Sequence, residues 1–223
     1  GFTHEPAVKL GEKLVEVLPD GLTRVFYSDN GSTAVEVALK MAYQYWRNKG
    51  EERRTFIALE HAYHGDTIGA MSASDTSQFT APFKNLLFDV KRAEAPYALH
   101  CDRCEKRCDV SCAESLEELL EKYHKETSAV IIEPMLQGAG GMIVWEKEYL
   151  GRVRELCDKY ASKHAHILRT QSRPLALTTM RFLVTSTSPS SINGCNCCKA
   201  LSNCCQKSTI CQRFEKPSMS NSK

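Results

Sequence analysis

Ala129-Val130-Ile131-Ile132-Glu133-Pro134 is the stretch on which the fold turns. Its four consecutive apolar residues have strand length but no polar alternation. A strand of that kind is covered on both faces, as in a parallel sheet flanked by helices. Glu133 then places a carboxylate at the strand's C-terminal end, where open α/β sheets gather their ligands.

Reading outward, helices are expected on both sides of this strand. Ala113 to Lys125 is charged and amphipathic, with Leu116, Leu119 and Leu120 on one face, and Glu148 to Tyr160 reads as another helix. Upstream, Thr55-Phe56-Ile57-Ala58-Leu59 reads as a second strand, followed by the loop His61-Ala62-Tyr63-His64-Gly65-Asp66. Arg24-Val25-Phe26-Tyr27-Ser28 is β-branched and aromatic and reads as a further strand. After the tight turn Asp29-Asn30-Gly31-Ser32 comes a long helix lined by Val35, Ala38, Met41, Ala42, Tyr45 and Trp46 and ended at Lys49-Gly50. Thr33 and Glu36 have the spacing of a capping box. A first helix, Glu5 to Leu18, is stopped by Pro19-Asp20-Gly21. Strands alternating with helices predict an α/β fold with a mainly parallel sheet.

The composition suits a globular chain: 42% hydrophobic and 25% charged over 223 residues. No run reaches the eighteen or so apolar residues of a membrane span. The first residues lack the basic and apolar regions of a secretory signal, so a reducing, cytoplasmic setting is expected, without membrane or nucleic-acid partners. The net charge of +2 conceals a division. Residues 1–160 carry 20 Lys+Arg against 26 Asp+Glu, and residues 161–223 carry 9 against the single acid Glu215. The strand–helix alternation stops at the same place. The last 63 residues hold eleven Ser, six Thr and six Cys but one Gly and no Asp.

Three motifs carry chemistry. At Gly31-Ser32, free N–H groups and a hydroxyl at a helix start suit a phosphate, although an ordinary cap would look alike. Tyr63-His64-Gly65 offers an aromatic on a loop after a strand, suited to stacking on a planar ligand; the plainer reading is a packed Tyr and a surface His. Glu133 with Gly138-Ala139-Gly140-Gly141 pairs a carboxylate with a loop able to fold over a ligand, or with a plain turn. Among the eleven cysteines, Cys101, Cys104, Cys108 and Cys112 could close a zinc or iron–sulfur site. Reduced cysteines in a variable loop are the favoured reading, because the spacing is not that of paired zinc knuckles.

Taken together and in order, Gly31-Ser32 with Ala34-Val35-Glu36-Val37-Ala38, Tyr63-His64-Gly65, and Ile131-Ile132-Glu133-Pro134 resemble the class III, fold-type I aminotransferases that use pyridoxal 5'-phosphate (PLP). Tyr43-Gln44-Tyr45-Trp46, Gly69-Ala70-Met71-Ser72 and Gln137 to Met142 narrow the resemblance to the branch that aminates 8-amino-7-oxononanoate. It covers residues 1–160, a partial large domain of that fold. The resemblance implies that Gly31 and Ser32 hold the PLP phosphate, that Tyr63 stacks near the ring and touches substrate with His64 beside it, and that Glu133 lies close by. It further implies S-adenosylmethionine or lysine as amino donor, and a homodimer. A relative acting on ω-amino acids, or a non-catalytic fragment or cysteine metal-binding module, is the alternative.

The chain also departs from the family pattern. The family needs an Asp at the pyridine nitrogen, on a strand just after the helix that ends at Tyr160, and a Lys in a Lys-Gly context that bonds to the cofactor. No Asp follows Asp158, and Lys199 is followed by Ala200. The segment that precedes the matched region in the family is also missing from the resemblance. We hypothesise that residues 161–223 are read out of frame, the rival being a genuine basic tail. Resequencing the transcript decides: an intact frame in independent reads removes the hypothesis.

Overall fold

A computed structural model describes residues 3–18, 22–75, 77–97 and 109–160, and the strands 166–169 and 181–183. The chain divides into two compact units, with the second beginning at Ser28. In the first, helix α1 (Glu5–Val17) starts with Pro6 in its first turn and with His4 Nδ1 accepting from the Ala7 N–H at 3.3 Å. The strand expected at Arg24–Ser28 does not form; that segment is irregular. Strand propensity records fit to a neighbouring sheet rather than a backbone preference, and here Tyr27 is fixed by its hydroxyl donating to Ala7 O at 2.7 Å. Pro19-Asp20-Gly21 lies outside the described residues.

The second unit is built on strands β1 (Thr55–Leu59), β2 (Lys91–Ala93) and β3 (Thr127–Ile132). Beyond the hairpin β4 (Leu136–Gln137) and β5 (Ile143–Val144), the main sheet continues with β6 (His166–Arg169) and β7 (Arg181–Leu183). The sheet order is β2-β1-β3-β6-β7. All its pairings are parallel except β6–β7, with Ala58 opposite Ile131 and Ile131 opposite Leu168. The rest of residues 161–223, including Lys199 and the six cysteines of that region, lies outside the described residues.

Helices cover both faces, and the period of two along each strand assigns residues to the two layers. Ile57, Leu59, Val130 and Ile132 pack with Leu116 and Leu120 of α5 (Glu114–Tyr123) and with Tyr149, Val153 and Leu156 of α6 (Lys147–Tyr160). Phe56, Ala58, Ala129 and Ile131 face the other way, onto Val35, Ala38, Leu39 and Ala42 of α2 (Gly31–Asn48) and Ala70 and Ala73 of α3 (Ile68–Ala73). This is why Ala129–Ile132 shows no polar alternation. Each fully buried aliphatic side chain contributes roughly 1.5–3 kcal/mol, so the two layers hold the strands in one register. Trp46 ties α2 to the sheet by donating from Nε1 to Ser128 O at 2.8 Å.

Candidate functional site

The C-terminal ends of β1 and β3 open toward the N-terminus of α2. The capping box expected from Thr33 and Glu36 lies elsewhere. Asn30 is the cap: its Oδ1 accepts from the Thr33 N–H at 3.0 Å, and Thr33 Oγ1 accepts from the Asn30 N–H at 3.1 Å. A helix start leaves four N–H groups without intrahelical partners. Thr33 N–H is used by the cap, and Ala34 N–H donates to Asn30 O at 3.0 Å. The N–H groups of Gly31 and Ser32 have no hydrogen-bond partner among the described residues, and the helix dipole favours an anion there.

Ser32 is then tied to the loop after β1. Its Oγ accepts from the Asp66 N–H at 3.0 Å, leaving the hydroxyl hydrogen available to donate elsewhere. The loop can come this close because residue 65 is glycine, at φ +132°. A Cβ at Gly65 would fall 2.8 Å from Ser32 Cβ and 2.9 Å from Ser32 Cα, which no real contact allows.

Tyr63 sits on the same loop, half-buried. Its hydroxyl donates to Asp66 Oδ2 at 2.8 Å, and its backbone N–H donates to Glu133 Oε2 at 2.9 Å. Partial burial, reinforced by the Asp66 carboxylate, pushes the Tyr63 phenol up to about 12. Glu133 itself is only 1% exposed. A continuous hydrogen-bonded path therefore runs from the start of α2 through Ser32, Asp66 and Tyr63 to Glu133 at the end of β3. Four of the residues singled out in the sequence, Gly31, Ser32, Tyr63 and Glu133, lie on it or beside it.

His64 is not a surface residue, as the plainer reading of the loop had it. It is 4% exposed, and its backbone N–H donates to Ser74 Oγ at 2.8 Å. Desolvation, with Arg92 nearby, lowers its imidazole to about 3, so it is neutral at physiological pH. The run Gly138–Gly141 forms the turn of the β4–β5 hairpin, closed by Met142 N–H donating to Gly138 O at 3.0 Å. Gln137 braces the hairpin against β1, donating from Nε2 to Glu60 O at 2.7 Å.

Two charged residues outside the expected set complete the surroundings. Glu36 Oε1 accepts from Thr67 Oγ1 at 2.6 Å, from the Gly69 N–H at 2.6 Å and from the Ala70 N–H at 3.1 Å. Arg92 donates to Ser72 O, Ala73 O and Ser74 O at 2.6, 2.5 and 2.8 Å. Glu36 thus satisfies the start of α3 and Arg92 its end, each with the sign the helix dipole prefers. Glu36 stood inside a quoted motif but was read as a local cap, and Arg92 carried no sequence signal.

Of the first cysteine group only Cys112 is described. It is buried and not in a disulfide, whereas Cys101, Cys104 and Cys108 lie outside the described residues. Among the described residues no His, Cys, Asp and Glu cluster has the makings of a metal site. None of their helices is long and apolar enough to cross a membrane.

Comparison with known proteins identifies the family. The family model described as aminotransferase class-III matches residues 1–162. An adenosylmethionine-8-amino-7-oxononanoate aminotransferase of Geobacter sulfurreducens is 46% identical over 164 residues, covering 72% of this chain and 36% of the relative. The protein of that name from Synechococcus elongatus is 48% identical over 150 residues, covering 67% of this chain and 35% of its own length. The crystal structure of the Methanocaldococcus jannaschii protein of that name superposes with a TM-score of 0.66 at 35% identity, covering 78% of this chain and 36% of that one. A PLP-bound amine transaminase from an uncultivated Pseudomonas species gives 0.64 at 31% identity, over 77% and 38%. The chain spans about a third of the length of the curated relatives it matches. With a family match over most of its length and the same α/β scaffold beneath its site, the chain belongs to the class-III aminotransferases.

Proposed function

We propose that the chain carries the phosphate-binding side of a PLP site, and that the protein it represents is an aminotransferase of biotin biosynthesis. The reaction is amination of 8-amino-7-oxononanoate to 7,8-diaminononanoate, with S-adenosylmethionine or lysine as donor. The path Ser32–Asp66–Tyr63–Glu133, ending at the open N–H groups of Gly31 and Ser32, is the observation that carries this reading. Those donors fit a phosphate monoester, so the residues present suit that end of the cofactor. Identity supports the substrate class. In superposition it is 35% to the structure named for 8-amino-7-oxononanoate, against 26–31% to neighbours named as other transaminases.

When bound, PLP supplies the electron sink for moving an amino group. The chain's own residues bind and orient. Gly31 and Ser32 hold the phosphate by two N–H groups and a hydroxyl. Tyr63 stays protonated and is held by Asp66 and Glu133, so its ring has one fixed place near the ligand and substrate. His64, neutral and buried, backs Tyr63 in the loop. Glu133 orients the Tyr63 backbone and does no proton transfer. Residues 161–223 contain no Asp and no Lys-Gly pair. The pyridine partner and the covalent lysine of the family thus have no counterpart here, and binding without turnover is expected of this chain alone. The protein is further proposed to be a cytoplasmic homodimer.

Titrating the purified chain with PLP while following tryptophan fluorescence tests the site. Saturable binding, competed by inorganic phosphate and weakened about tenfold by Ser32→Ala through loss of a hydrogen bond to a charged group, is the expected result. No binding, or equal binding by the variant, overturns the site. For the substrate class, 8-amino-7-oxononanoate should tighten PLP binding and ω-amino acids should not; the reverse favours the ω-amino acid alternative. Mass spectrometry should find no 7,8-diaminononanoate made by the chain alone.

A further inference from the structure

The Glu36 carboxylate is part of no ligand contact described above, yet it joins three elements. It projects from the second turn of α2, one turn beyond Ser32, and reaches the loop after β1 and the start of α3. One oxygen takes three hydrogen bonds, from Thr67 Oγ1, Gly69 N–H and Ala70 N–H. Thr67, the cap of α3, makes no side-chain bond to its own helix, so Glu36 supplies from α2 what the local sequence does not. The same Thr67 hydroxyl lies 3.5 Å from Ser32 O, and its neighbour Asp66 donates to Ser32 Oγ. Gly69 is tailored to this contact: a Cβ there would fall 2.9 Å from Glu36 Cδ.

We propose that Glu36 is a positioning residue for the cofactor site, setting the distance between the phosphate-binding start of α2 and the Tyr63–Asp66 loop. A carboxylate is suited to this task. One of its two oxygens holds one hydroxyl and two amides at once, and charge-assisted bonds are shorter and stronger than neutral ones. Without it, α3 keeps its buried apolar contacts with α2 through Ala70 and Ala73. What loosens is the loop ahead of it, and with it the register of Asp66 on Ser32. The effect of Glu36 passes through Thr67 and Asp66.

The inference deepens the PLP reading and rests on it only for its affinity readout. Glu36→Ala and Glu36→Gln are compared with the unaltered chain by amide hydrogen exchange and by PLP titration. Faster exchange at Asp66 and Tyr63, three and six residues before Gly69, the first amide Glu36 itself bonds, is expected in Glu36→Ala. Recovery is expected in Glu36→Gln, whose amide oxygen still accepts. PLP affinity should fall about tenfold in Glu36→Ala, with less loss in Glu36→Gln. Gly69→Ala, which pushes the carboxylate away, should behave like Glu36→Ala. Should exchange at Asp66 and Tyr63 stay unchanged while only Gly69 and Ala70 speed up, Glu36 is a helix cap and nothing more. Failure of the unaltered chain to bind PLP would sink the cofactor reading but leave the exchange comparison standing.

Discussion

His64 and Gly65 are neighbours held by opposite means, one by burial and one by the lack of a side chain. His64 is neutral in the folded chain because desolvation, aided by Arg92, lowers its imidazole to about 3. The unfolded chain protonates the same group near pH 6.5. Between those values the unfolded state holds one more proton than the native state, so stability rises with pH across the window and is level above it. The slope from this one group is about 1.4 kcal/mol per pH unit. Urea unfolding at pH 7.5, 6, 5 and 4 should show it, and His64→Gln should flatten it; an unchanged slope in the variant would assign the effect to other groups. Gly65 at φ +132° against Ser32 tolerates no Cβ. Gly65→Ala should cost about 1–3 kcal/mol of stability and abolish measurable PLP binding, since the loop must move off Ser32. Calorimetry and the fluorescence titration read the two effects separately.

Among the elements, α2, β1, β3, α5 and α6 were legible because a long apolar period, or a long unbroken apolar run, leaves few alternatives. The loop motif containing Tyr63 and the carboxylate Glu133 were legible with them, since both sit where a strand ends. Short elements were not. Helix α3 has six residues, too few for a period, and its ends are satisfied by Glu36 and Arg92 from distant parts of the chain. Strand β2 is Lys91-Arg92-Ala93, with no strand-like composition, and forms only because β1 offers it an edge. Arg24–Ser28 shows the converse: good strand chemistry that pairs with no strand among the described residues. At this scale the doubly covered strand makes a quantitative prediction. Ile131 is fully buried against the α2 layer, and Ile132 next to it against the α5–α6 layer. Ile131→Ala and Ile132→Ala should each cost roughly 2–5 kcal/mol, because both faces are packed. A cheap substitution at either, measured by urea unfolding, would mean that one layer is not in place.

For the molecule as a whole, the surface decides whether the proposed dimer is physically reasonable. Helix α4 (Ser77–Thr80) and the 3-10 turn Ala81–Leu86 expose Phe79 at 50%, Phe83 at 44% and Leu86 at 63% within eight residues of sequence. Single exposed apolar residues are ordinary, but three large ones on one short segment form a surface that association would bury. The segment starts four residues beyond the end of α3, the helix that follows the Tyr63–Asp66 loop. Sedimentation velocity of the chain should therefore show concentration-dependent self-association. The paired change Phe83→Glu and Leu86→Lys should shift the chain to monomer with little change in thermal midpoint, since neither side chain belongs to the buried layers. If the variant associates as the unaltered chain does, this segment is not the interface. If the unaltered chain is monomeric at all concentrations, the dimer part of the proposal fails for this chain, while phosphate binding at Gly31 and Ser32, built within one subunit, is untouched.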